Sequence, residues 1–118
     1  MIVKLTNSEL IAKDFTLGNQ YTVLSVLVRN HAIESQNIET LIIIRRDSDG
    51  TPCLIPLTSF EILDPSIPKG WVFNFFPDNV GHSIEPIEFT GDFWDKYYDG
   101  DENAEKTFDS VWNRLTNF

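Results

Sequence analysis

The spacing of the apolar residues changes at Gly91, and that change constrains the fold more than any other feature of the chain. Up to Phe89, β-branched and aromatic residues come in short runs cut by turn residues, the pattern of strands. Beyond Gly91 they recur at helical intervals. Residues 92–99 suit a short helix carrying Phe93, Trp94, Tyr97 and Tyr98, and Gly100 breaks it. From about residue 102 to 116, Ala104, Phe108, Val111, Trp112 and Leu115 fall at i, i+4, i+7, i+8 and i+11, a single helical stripe. Asp101, Glu102 and Glu105 near its start and Arg114 near its end complement the helix dipole. Strands first and helices last point to an α+β fold.

Residues 2–5 read as a strand and residues 8–15 as a helical or looped segment. Residues 21–28 form an apolar run with side chains for both faces. The next pair is the plainest hairpin: Leu41-Ile42-Ile43-Ile44, then Arg45-Arg46, the turn cluster Asp47-Ser48-Asp49-Gly50, and the returning strand 51–57. Pro52 and Pro56 assign that strand to an edge or a bulge, and one of the two arginines is expected to pair with a carboxylate. Thr58-Ser59-Phe60 should turn tightly into a strand over 61–64, followed by the proline-stiffened loop 64–70. A strand over 71–76, a turn over 77–81 and a Pro-interrupted strand over 83–89 complete the set. Five to six strands of this length predict a small bent antiparallel sheet or SH3-like barrel, followed by one short and one longer C-terminal helix. Residues 1–118 make one domain, 1–89 mainly β and 90–118 helical and acidic, with the last helix covering an open side of the core.

Charge is unevenly placed. The last 34 residues, from Glu85, hold nine acids against Lys96, Lys106 and Arg114, net −6 of the chain's −9. Such a balance disfavours nucleic acid and anionic membrane as partners and favours a basic protein. Cys53 is the only cysteine, so no intrachain disulfide can form. Residues 1–9 lack the basic start and apolar core of a signal peptide, and the densest apolar stretch, 23–28, is too short for a bilayer. A cytoplasmic location is the expectation.

No constellation for catalysis stands out. Asp99, Asp101 and Asn103 mimic the start of a calcium loop, but Ala104 and Ser110 occupy the positions that need Gly and a bidentate Glu. A helix start decorated with acids explains them. Cys53, His31 and His82 have no ligand or nucleophile spacing, and the six glycines are scattered. No cofactor or metal is expected. Phe108, Val111, Trp112 and Leu115 suit a core. The short helix cannot bury all four of its rings on one narrow stripe, so some should stay at the surface among acids, as at an interface. The candidate partner-binding residues are Asp92, Asp95, Asp99, Asp101 and Glu102 for charge, with Trp94, Tyr97 and Tyr98 as anchors.

The segments Tyr21-Thr22-Val23-Leu24, Asp49-Gly50-Thr51-Pro52, Ser59-Phe60-Glu61-Ile62-Leu63-Asp64, Ile67-Pro68-Lys69-Gly70-Trp71 and Gly91-Asp92-Phe93-Trp94-Asp95-Lys96-Tyr97-Tyr98-Asp99-Gly100-Asp101 together resemble small acidic bacterial proteins of the toxin-immunity type, associated with contact-dependent inhibition and polymorphic toxins. The resemblance spans about residues 21–105. It implies a cytoplasmic protein that neutralises a cognate toxin by direct binding, and it assigns no binding residue. The expected partner is a basic toxin domain of nuclease type, bound by a monomer or weak dimer. Two other binding classes compete with it. One is an adaptor or peptide-binding SH3-like module of bacterial or phage origin, with a groove lined by Tyr21, Trp71 and Phe73. The other is a phage-type mimic of nucleic acid. An enzyme ranks last.

Overall fold

The computed structural model describes residues 1–7, 14–30, 38–76 and 81–117. The alternating segments become two open antiparallel sheets. Strands β1 (Ile2–Leu5), β2 (Gln20–Thr22) and β6 (Phe60–Asp64) form one, in the order β2-β1-β6. Strands β3 (Ser25–Asn30), β4 (Ile38–Arg45), β5 (Pro52–Pro56), β7 (Trp71–Phe75) and β8 (Gly81–Pro86) form the other, in the order β5-β4-β3-β8-β7. Helices α1 (Phe93–Tyr98) and α2 (Glu102–Thr116) follow. The fold is α+β. The segments predicted over 8–15 and 77–81 fall largely outside the described residues, and His31 falls wholly outside them.

Eight strands in two sheets are described, where the sequence predicts one bent sheet or barrel of five to six strands, and one of the added strands comes from a break at Val23-Leu24. The apolar run 21–28 is two strands rather than one. The Val23 amide donates to the Met1 carbonyl at 3.0 Å, while the next amide, of Leu24, donates to the Ile43 carbonyl at 2.8 Å. Consecutive residues thus serve different sheets, and both side chains are fully buried.

Strand β4 separates two cores. Ile42 and Ile44 pack with Val3, Leu5, Tyr21, Val23 and Phe60 against the three-stranded sheet. Ile43, on the opposite face, packs with Leu24, Phe89, Phe93, Phe108, Val111 and Leu115 against the helices. The period-two rule sends successive side chains to opposite faces, and here both faces are covered. That arrangement explains a strand with isoleucine at three consecutive positions. The terminal helix covers one core, as its apolar stripe predicts, and the second sheet covers the other.

The β4–β5 hairpin forms as predicted, with Ile44 opposite Cys53 and Arg45 opposite Pro52. Its proline-bearing strand β5 is an edge strand among the described residues, where a missing amide leaves no ladder bond unmade. Arg46 pairs with Asp49, which together with the Thr51 amide holds the Asp49 carboxyl down at about 2. Arg45 does something else. Its guanidinium lies 4.6 Å from the Trp112 ring and 5.3 Å from that of Phe108, pinning α2 to the hairpin through cation–π contacts. The strand predicted over 83–89 stops at Pro86, and Ile87–Phe89 is a 3-10 turn. That turn takes Phe89 out of the ladder and stacks it on Phe93, with ring centroids 4.7 Å apart.

Candidate partner-binding surface

One residue sets the geometry of the acidic end. Gly100 adopts φ +83°, and its amide reaches the Tyr97 carbonyl while the Asp101 amide reaches that of Lys96. This is the helix stop that favours glycine, because a side chain there would be strained. Asp101 then turns round and starts the next helix, its carboxylate accepting from the Ala104 amide at 2.9 Å. A single glycine separates the closing and the capping residues, and α1 and α2 share one core through Phe93, Ala104 and Phe108.

The acids project from this unit. On α2, Glu102, Glu105 and Asp109 recur at i, i+3 and i+7 on the side away from the buried stripe of Ala104, Phe108, Val111 and Leu115. On and beside α1, Asp92, Asp95 and Asp99 are also exposed. Lys96 reaches Asp92 at 3.4 Å. Among the described residues Asp95, Asp99, Glu102, Glu105 and Asp109 make no ion pair. Five like charges on one corner, offset in part by Lys96 and Lys106 on the same two helices, make a negative field that attracts a positively charged neighbour and weakens with salt. Two acids counted in the sequence do not contribute to this field: Glu88 is paired with Arg114, and Glu85 is buried.

The three candidate anchors take three different positions. Trp94 is half-buried, its ring centroid 4.8 Å from Phe89 and 5.0 Å from Phe93. Tyr97 lies inward as well, 4.9 Å from Phe108. Burial, with added repulsion from Asp109 and Glu105, raises its hydroxyl above the ordinary tyrosine range. Only Tyr98 offers a broad free face, being 57% exposed. Its hydroxyl nevertheless donates to the Pro52 carbonyl at 2.6 Å, and desolvation at that end pushes its pKa up to about 12. Trp94 and Tyr98 stack at 6.0 Å and form one wall of a cavity of about 200 Å³ between α1 and the five-stranded sheet. Comparison with protein-family models, with curated proteins and with solved structures finds no match for the chain. The surface itself therefore carries the functional argument.

At the base of that cavity lies Glu85, only 4% exposed. Its carboxylate accepts from Ser83 Oγ at 2.5 Å, Trp94 Nε1 at 3.2 Å and Ser25 Oγ at 3.5 Å. Nothing in the sequence singles out Glu85. The sequence marks 83–89 only as a Pro-interrupted strand and assigns no face; in the structure Glu85 reaches Trp94 of α1 and is more deeply buried than Ile84.

The residues weighed for catalysis stay apart. Cys53 on β5 and His82 on β8 are separated by two intervening strands, and burial pushes the Cys53 thiol up, away from reactivity. His82 stacks on Phe73 at 4.9 Å. The groove expected from Tyr21, Trp71 and Phe73 is not what these side chains build. Tyr21 is buried with its hydroxyl on Asp47, and Phe73 is exposed on the edge strand β7. Among the described residues no helix is long and apolar enough to cross a membrane.

Proposed function

We propose that the chain is an inhibitor that neutralises a basic partner by stoichiometric binding: a cytoplasmic immunity protein whose target is a toxin domain of nuclease type. The observation that carries this reading is the α1–Gly100–α2 corner, with Asp95, Asp99, Glu102, Glu105 and Asp109 exposed and unpaired among the described residues. A nuclease holds phosphates and so presents cations around its active site. An acidic corner suits such a site in charge and gains association rate from it, with steering that lifts rates above about 10⁶ M⁻¹s⁻¹ at low salt. The exposed face of Tyr98 beside Asp95 and Asp99 supplies the apolar contact that charge alone does not. The resemblance to toxin-immunity proteins points the same way. The role is binding, without catalysis. The test is a titration of basic nuclease toxin domains with the purified chain, reading nuclease activity. Loss of activity at one equivalent supports the reading; undiminished activity across the panel at excess chain refutes it.

A second reading, the peptide-binding adaptor, draws on another observation. Strand β7 is an edge among the described residues, and its Phe73 and Phe75 are exposed, Phe75 to 76%. An extended peptide adding a strand there would use β7 amides and carbonyls for affinity. Binding abolished by Phe75→Asp but indifferent to Asp95→Asn/Asp99→Asn would favour it over the inhibitor.

A further inference from the structure

The cavity behind Trp94 and Tyr98 contains a carboxylate that no cation accompanies among the described residues. Glu85 is almost fully buried, and the described residues give it three neutral donors and no ion pair. Desolvating a carboxylate is expensive unless an opposite charge accompanies it, so a buried Glu facing a cavity without one marks a site for an incoming cation. The hydrogen bonds also say where that cation fits. Oε1 already accepts from Trp94 and Ser25, whereas Oε2 accepts from Ser83 alone and keeps acceptor capacity.

The walls narrow the chemistry. Leu27, Leu54 and Phe76 line the cavity opposite the Trp94–Tyr98 stack, and both Leu54 and Tyr98 are exposed, so the rim opens to solvent. An apolar sleeve with one anionic end matches a side chain with an aliphatic stem and a cationic tip. The space of about 200 Å³ is below the ~300–1,000 Å³ of a drug-sized ligand site and suits a single side chain. With one oxygen open, the site takes a point charge better than the two-pronged guanidinium of arginine. The π faces of Trp94 and Tyr98 favour a cation beside them. The acids Asp95 and Asp99 stand on the same short helix and would attract a basic surface to the rim.

We infer that this cavity receives a lysine side chain of the basic partner, with Glu85 as its buried counter-ion and the Trp94–Tyr98 stack along its stem. This deepens the inhibitor reading by naming the lysine hot spot that complements the acidic corner, and it rests on that reading for the source of the lysine.

The experiment uses the intact chain and n-butylammonium as the lysine mimic, with n-butanol as its neutral counterpart. The readout is the Trp94 indole N–H resonance. Butylammonium should shift it saturably, with a Kd on the order of 10 mM, and butanol at the same concentration should not. Glu85→Gln should weaken the effect about tenfold, since a charge-assisted hydrogen bond is lost. Leu54→Trp, at an exposed rim position, should fill the mouth and abolish the shift without disturbing the core. No shift with butylammonium, or equal shifts with butanol, overturns the inference. So does an unchanged shift in either variant. The partner arm separates the two readings. A toxin domain bound equally by the wild type and by Glu85→Gln would leave the inhibitor reading and overturn the lysine assignment. Butylammonium binding without inhibition of any toxin would keep the cation site and overturn its assignment to a toxin's lysine.

Discussion

Replacing Tyr98 with Phe removes one hydroxyl and tests how α1 is held on the sheet. That hydroxyl donates to the Pro52 carbonyl at 2.6 Å, joining the short helix to the edge strand β5. A hydrogen bond of this kind is worth about 1 kcal/mol net, so Tyr98→Phe should be less stable by about that much at neutral pH. The pH dependence supplies an independent measure. Tyr98 is raised from 10.0 to about 12 in the folded protein, mainly by desolvation. Two units at about 1.4 kcal/mol each set an upper bound of ~2.7 kcal/mol. The ring is 57% exposed, so water screens most of it and about 1 kcal/mol is retained. The sign follows from which state loses its proton first. Below about pH 10 both states are protonated and the contribution is complete. Between about pH 10 and 12 the unfolded chain ionises while the folded one does not, so the wild type loses this stability as pH rises. The Phe variant has nothing to lose at this position. Urea unfolding of both proteins, from about pH 7 to about pH 11.5 at constant ionic strength, should give a gap near 1 kcal/mol that closes over the upper range. Tyr21 is also raised but is common to both proteins and cancels in the difference; Tyr97 interacts with Tyr98 and adds to the loss in the wild type in the same direction. A gap that is absent at neutral pH, or that widens as pH rises, refutes the reasoning.

Phe108→Ala should cost about 3–5 kcal/mol in thermal or urea unfolding, because the ring is 1% exposed and packs against Phe89, Tyr97 and the Arg45 guanidinium. Phe75→Ala, at a site 76% exposed, should stay within about 0.5 kcal/mol. Asp101→Ala removes the cap of α2 and should cost about 1 kcal/mol by the same assay. Gly81→Ala should abolish or severely impair folding, because a Cβ there would lie 2.1 Å from the Val28 carbonyl oxygen across the β3–β8 pair; a soluble variant with native circular dichroism and melting temperature would contradict this.

Elements whose signal is local were legible before the structure. The β4–β5 hairpin shows itself by Asp47-Ser48-Asp49-Gly50 between two apolar runs, and α2 by one stripe, an acidic start and a basic end. Gly100 marks the stop of α1 because glycine tolerates the backbone conformation needed there. The division of residues 21–28 was not legible. An unbroken apolar run looks the same whether one strand is covered on both faces or two strands meet at a corner, and only the partners of the Val23 and Leu24 amides distinguish the cases. The acidic corner follows only in part from the sequence: Asp95, Asp99 and Glu102 are among the residues it singles out and are exposed, whereas it also named Asp92, which pairs with Lys96, and Asp101, which caps α2, and it passed over Glu105 and Asp109. Glu85 does not follow, because alternation says which residues share a face but not which face is buried when both are covered. Trp94 looked like a free anchor for a related reason: a six-residue helix has too few positions to reveal which of its rings the sheet claims.

The central claim is that the acidic corner grips a basic toxin domain. Its most direct test is the association rate of the inhibited toxin with the wild-type chain and with Asp95→Asn/Asp99→Asn/Glu105→Gln/Asp109→Asn, followed by stopped flow across a salt series. The account predicts a fast, salt-sensitive rate for the wild type, and for the variant, whose net charge falls from −9 to −5, a rate about tenfold slower at low salt with a shallower dependence on salt. Equal rates for the two proteins at every salt concentration would contradict it.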